Sequence, residues 1–304
     1  MTEWDGSGLP PAAQRRMDGI GKSRIRSSLL SIPGATGIET VGFLPASEVM
    51  GAAVLNMSWA AMPSCGMTYQ SFGYGQSPMF GNARTLNNGV GPASLSGRGY
   101  PSYVDVINSG WSQAIARMLG EAGAVHADGV IDIRLSQNQL GSGAVEFVAM
   151  GTAVTSMSTR HLNKPFSTHL GGVDVSKLLR SGFAPASLVV EVSVAIRHDD
   201  MTTYSQSNVF APNTEVAGFT DLARSARANA RERLQHAVKR AGAQGAIVDD
   251  LSMRIFEFEP YDNHRDHVAE VRVVGTSITA FQSTSAPPGR SLSILPLTDK
   301  ARHR

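Results

Sequence analysis

The chain has a single cysteine, Cys65, in 304 residues. No internal disulfide can form, which removes the small disulfide-stapled secreted folds and fits a reducing compartment. An excess of one charge is also missing. Lys and Arg number 27 against 25 Asp and Glu, a formal net charge of +2, too little to draw the whole molecule to nucleic acid or to an anionic membrane. No run approaches the roughly 18 apolar residues of a membrane-spanning helix. The opening MTEWDGSGLPPAAQRR has neither the basic stretch nor the apolar core of a secretory signal. A cytoplasmic protein without membrane contact is expected. Enzyme signatures are absent too, with no G-x-S-x-G and no intact G-x-G-x-x-G. The GKS at Gly21–Ser23 is the tail of a phosphate-binding loop, but Arg16 stands where the opening glycine is needed and no strand precedes it. No catalytic residues are assigned, and a non-enzymatic protein is expected.

What is present is a repetition. GFLPASEVMGAAV begins at Gly42 and GFAPASLVVEVSV at Gly182, with seven of thirteen positions the same. Each copy leads into a strand. In the second, Val190, Val192, Val194 and Ile196 alternate with Glu191, Ser193, Ala195 and Arg197, the period of a half-buried strand. A helix follows in each half. Val104, Ile107, Trp111, Ile115, Met118 and Leu119 fall at helical spacing over 103–122, and Leu222, Ala226, Ala230, Leu234 and Ala237 over 220–241. Asp105 and Asp221 sit near the helix starts, where a carboxylate suits the dipole. A Gly/Ala turn then re-enters a strand, GVIDIRL from Gly129 and GAIVDDLSMRI from Gly245. A last strand carries Gly151–Thr152 or Gly275–Thr276, and a bulge at that glycine is expected because the alternation changes phase there. Each half therefore reads strand, helix, strand, strand, and 304 residues suffice for two such domains.

These landmarks in this order resemble the YbjQ-like family (UPF0145), whose domain carries a heavy-metal-binding label. The resemblance covers about 38–155 and 178–282. It implies an α/β (α+β) architecture of two tandem dodecin-like β-α-β-β domains, each a small sheet with one long helix. It also implies assembly, since single-domain relatives form pentameric rings. Two fused domains cannot close a five-membered ring equivalently, so the expected homo-oligomer is five chains in two stacked rings. The expected organisation is a flexible arm over 1–27, a first repeat over 28–160, a second over 161–282 and a flexible tail over 283–304. The first repeat carries a Gly-, Met- and aromatic-rich insertion over 56–101.

Two stretches offer metal ligands. Met57, Met62, Cys65 and Met67 in the insertion are soft sulfur donors suited to Cu(I) or another soft metal. They equally suit an apolar loop that docks a protein partner, because Met fills irregular contacts. Asp262, His264, Asp266 and His267 in EPYDNHRDHVAEV could hold a Zn-type ion, although a turn favours Asn and Asp for backbone reasons. RHDDM at 197–201 is a further loop cluster, and His126 reads as a helix-end residue. The basic face of the second helix, Arg224, Arg227 and Arg231, is interleaved with Asp221 and Glu232 and reads as a solvated face or a subunit contact rather than a nucleic-acid site. No cofactor is otherwise implied. Three functions stay open: an oligomeric scaffold or binding protein, a metal-binding or sequestering protein, and a small-molecule binder at subunit interfaces.

Overall fold

The repeated phrase is a joint between a short helix and a long strand, seen twice in a computed structural model that describes residues 4, 8–22, 27–57, 84–85, 103–198, 200–261 and 264–281. In chain order the elements are α1 (Pro11–Lys22), α2 (Ile32–Glu39), β1 (Phe43–Asn56), β2 (Arg84–Thr85), α3 (Tyr103–Ala124), β3 (Gly129–Gly141), β4 (Ala144–Ser156), β5 (Phe166–Ser167), α4 (Gly172–Arg180), β6 (Phe183–His198), α5 (Met201–Ser207), α6 (Ala217–Arg240), β7 (Gly245–Tyr261) and β8 (His264–Ala280). Gly42 and Gly182 leave α2 and α4 with φ of +86° each, a conformation that favours glycine. Pro45 and Pro185 then precede a register shift that leaves Ala46 and Ala186 without a cross-strand partner. A proline fits such a bulge because it has no N–H to give to the ladder. The frame G-F-x-P-A-S is thus written by backbone geometry.

Both halves have the strand, helix, strand, strand order that the pattern indicates, and the fold is mixed α+β. The sheets run β1-β4-β3-β5 and β2-β6-β8-β7. The strands that follow each long helix are antiparallel, while β5 joins β3 in parallel. Three local expectations are corrected. The stretch read as a flexible arm contains α1, whose Met17 is buried. A helix unforeseen in the sequence, α2, follows it. IPGATGIE reads as loop, but Pro33 lies in the first turn, where a missing N–H costs nothing, and Ser31 caps the helix by accepting from the Gly34 amide. Finally, the bulge lies opposite the glycine rather than on it. The extra residues are Asp132–Ile133 on β3 and Asp249 on β7. A Cβ on Gly151 would stand 2.7 Å from Val130 Cγ1, and one on Gly275 2.8 Å from the Ile247 oxygen. The glycine makes room for its neighbour's bulge.

The core explains why β6 differs from a half-buried strand. Val189, Ser193 and Ala195 face α6, where Ser193 Oγ donates to the Ala226 carbonyl at 2.9 Å. The alternate residues Leu188 and Val192 are also buried, against α3 of the first half. The layers therefore run β1/β4/β3, α3, β6/β8/β7, α6. Helix α3 buries Val104, Ile107, Trp111, Ala114 and Met118, each large side chain contributing about 1.5–3 kcal/mol. It lies close to β1 because Gly51 has no side chain: a Cβ there would fall on the Ala114 carbonyl and the Met118 amide. Among the described residues, no helix is long and apolar enough to cross a membrane. Replacing Gly51 with Ala must push α3 off its strand, with a cost of about 3 kcal/mol or more, measurable as a fall in the denaturation midpoint.

Candidate functional site

The two halves meet along α3, and the contact is both apolar and polar. Trp111 packs edge-on against Phe147 of β4 at 5.2 Å, while the Arg272 guanidinium of β8 lies 5.8 Å from the Trp111 ring centre. Asn108 accepts the Val192 amide at 3.2 Å. At the start of α3, the Tyr103 hydroxyl donates to Glu270 at 2.6 Å and accepts from Arg254 Nη2 at 2.6 Å, and Arg254 Nη2 also donates to Glu270 at 2.9 Å. Burial, followed by the Glu270 carboxylate, drives the Tyr103 pKa upward, so this phenol stays protonated and serves as a fixed donor. Val104, Val194, Ile196 and Val268 close the same end.

Two clefts open along this contact. One, of about 480 Å³, is lined by Asn108, Trp111, Ile115 and Leu119 of α3 and by Leu188 and Val190 of β6. The other, of about 280 Å³, lies between the halves, with Gln137 on β3 facing Ser252, Arg254, Glu270 and Arg272 on β7 and β8. Trp111 Nε1 and Arg272 Nε are buried donors without an acceptor among the described residues. The connector after β4 stitches the halves a second time. Ser167 Oγ accepts the Leu188 amide at 2.9 Å, and Thr168 Oγ1 and His169 Nδ1 each lie 2.8 Å from Thr276 Oγ1.

Of the residues read as metal ligands, Met57, Asp266 and His267 have described side chains, and these three lie apart or on opposite faces. Met57 packs beside the α3 core, and its amide donates to the Gly143 carbonyl at 2.7 Å. Met62, Cys65, Met67 and Asp262 lie outside the described residues, as does the rest of the insertion except 56–57 and 84–85. His264 opens β8 opposite Tyr261. Asp266 and His267 are buried, but as consecutive strand residues they point to opposite faces. Asp266 contacts His198 Nδ1 at 3.3 Å, while His267 meets the Phe219 ring edge-on at 4.7 Å. Asp266 and His267 therefore do not face one ion together, while Asp262 and the His264 side chain lie outside what is described. No group of three or more His, Cys, Asp or Glu side chains placed to hold a metal ion occurs among the described residues. In RHDDM, Arg197 pairs with Asp200 at 2.6 Å, and Asp200 caps α5, which makes it a structural cluster. His126 ends α3 with φ of +54°, matching its reading as a helix-end residue.

Two buried polar groups, Glu121 and Asp128, and the half-buried His169 escaped the sequence reading, because nothing in their spacing marks them. Glu121, 1% exposed, accepts the Met50 amide and pairs with Arg16 of α1; burial raises its pKa. Burial pushes the Asp128 carboxyl up, but the Ser156 and Leu162 amides and His161 pull it below its ordinary value. His169 is lowered by burial, with a small opposing pull from Asp249. A histidine whose folded pKa is depressed binds fewer protons folded than unfolded. Its contribution is therefore complete above the unfolded value near 6.5 and is lost as pH falls below it. The first half has Leu29 at the matching place, where its amide donates to Thr152. Denaturation midpoints taken between pH 7.5 and 5 should fall in the native protein and fall less in His169→Leu.

Residues 87–157 match the YbjQ_1 family model, described as "Putative heavy-metal-binding". The chain is 36% identical over 147 residues to the Encapsulin nanocompartment protein Rv1762c of Mycobacterium tuberculosis, covering 44% of this chain and 53% of that protein. It is 38% identical over 61 residues to a UPF0145 protein of Thermosipho africanus, covering 20% of this chain and 56% of the relative. A UPF0145 protein of Clostridium perfringens is 39% identical over 61 residues, with 20% and 58% covered. The chain thus spans a little over half the length of these curated relatives. No solved structure matches it significantly. With the β-α-β-β order already described, the match at 87–157 makes this segment of the first half similar to the YbjQ-like, UPF0145 family.

Proposed function

We propose that this chain is a non-enzymatic, cytoplasmic subunit of a homo-oligomer, built from two copies of a YbjQ-like unit. The observation that carries the reading is the burial of α3 on both sides. A small sheet with one helix covers only one face of each, so such units gain stability by lying on one another. The chain already joins two of them this way. A relative named for an encapsulin nanocompartment supports an assembling protein. The insertion supports it as well: β2 pairs with β6 at Arg84–Ile196 and Thr85–Ala195, so this segment of the first half reaches the second sheet, and its Met and aromatic residues suit a protein partner. Five chains in two stacked rings is one such assembly.

A second reading is a small-molecule binder at the contact between units. It is favoured by the cleft along Trp111 and by the two buried donors, Trp111 Nε1 and Arg272 Nε, which a ligand carrying a hydrogen-bond acceptor would satisfy. A metal-binding role has the family description behind it, and its ligands would come from the soft donors Met57, Met62, Cys65 and Met67. A native mass spectrum of the untagged protein, taken before and after chelation, separates the three. The expected result is a discrete multiple of the chain mass that survives chelation, with no added mass. A stoichiometric organic mass would replace the scaffold reading by the second, a chelatable mass by the third. A bare monomer at every concentration would remove the assembly.

A further inference from the structure

The two units can be superposed position by position through fixed backbone landmarks. Gly42 corresponds to Gly182, each with φ of +86°. His126 corresponds to Gly242, both with positive φ at the end of a long helix. Asp128 corresponds to Gln244, whose side chains accept the amides of Ser156 and Ala280 on the last strands. On this scale Met50, Ala52 and Val54 of β1 match Val190, Val192 and Val194 of β6, while Val148 and Met150 of β4 match Arg272 and Val274 of β8. These residues form the face of each sheet that points away from its own helix.

The matching faces differ in one respect. In the second unit the face is covered by α3, leaving Val192 at 1%, Val194 at 2% and Val274 at 4% exposure. In the first unit Val54 is 52% exposed, and Met50, Ala52, Val148 and Met150 are only half-buried. The helices differ in the same sense. Asn108, Trp111 and Ile115 of α3 touch the next sheet, but their counterparts on α6, Arg224, Arg227 and Arg231, lie on its outer side, where Arg224 and Arg231 are exposed. Among the described residues, the relation that lays the second sheet on α3 therefore leaves one complementary pair unused: the outward face of β1/β4 and the outward face of α6.

We infer that the outward face of β1 and β4 binds α6 of a second copy of this chain, in the geometry by which β6 and β8 bind α3. The inference rests on the homo-oligomeric reading and names its surfaces. The chemistry of the two faces agrees with it. Arginine stems lie readily on apolar surface with their heads free to pair, here over Met50, Val148 and Met150, with Glu48 and Glu146 on the same face. The Trp111–Arg272 stack becomes Arg227 on Val148, so the cation moves from the sheet to the helix. Because the two surfaces differ, the contact is heterologous and passes from chain to chain as a ring or a filament. First and second units alternate along it, whereas rings of like units would leave this pair of surfaces apart.

Asn108 and Val192 touch within the chain, and their counterparts are Arg224 and Ala52. In a full-length Cys65→Ser background, the double variant Ala52→Cys, Arg224→Cys should form disulfides between chains on mild oxidation, giving products of three chains and more. Either cysteine alone should give no linked product. Val148→Glu should lower the native mass while leaving the denaturation midpoint of the single chain unchanged, since the position is outside the core. If native mass shows an oligomer but the double variant does not link, or if Ala52→Cys alone links, this surface assignment fails and the oligomeric reading stands. A monomer at every concentration overturns both.

Discussion

The structure depends on one constraint: α3 is buried on two sides, and only a narrow stripe from Asp105 through Ser109, Ser112 and Ala116 to Gly120 is left to solvent. Its Ala114 and Met118 turns rest on the β1 backbone at Gly51, Trp111 and Ile107 fill the sheet beneath, and a second side carries Asn108, Ile115 and Leu119 against β6. A helix buried on two sides needs two sheets. One YbjQ-like unit supplies one. The second half of this chain supplies the other, and its β6 is accordingly buried on both faces. The second helix has only one sheet to meet, and its sequence records this: its buried stripe is Ala226, Ala230, Leu234 and Ala237, with arginines around the rest.

Polar groups fix the register of that packing rather than drive it. Tyr103, Arg254 and Glu270 pin one end, and Thr168, His169 and Thr276 pin the connector. Tyr103 reaches Arg254 and Glu270 of the other half, and the connector's Thr168 and His169 reach Thr276, so these hydrogen bonds would be lost if the layers slid. Such networks can look catalytic in isolation. Here the raised phenol of Tyr103 and the lowered imidazole of His169 follow from burial at a seam.

Much of the fold is legible in the residues. Period-two valines in β6, the i, i+3, i+4 spacing of α3, and the doubled G-F-x-P-A-S frame give the β-α-β-β order before any coordinates. The frame itself has a local cause, a positive φ at Gly42 and Gly182 followed by a proline bulge. What the pattern hides is which partner an apolar face meets. Val190, Val192 and Val194 announce a buried face, but not that its cover is a helix 80 residues earlier in the chain. Helix α2 is hidden because glycine and proline disfavour helices on average, while Pro33 occupies the one turn that tolerates it. Within the 262–267 cluster, parity separates Asp266 and His267, which are adjacent in sequence and opposite in space. Glu121, Asp128 and His169 sit at chain-distant contacts that no local motif encodes.

If α3 is the shared core of both halves, the halves cannot unfold separately. Differential scanning calorimetry of the full chain tests this most directly. The account requires one heat-absorption peak in which both sheets are lost together, because removing either sheet strips α3 of a face. Two resolved transitions, one for each half, would contradict it and would make the chain a pair of independent domains joined by a linker.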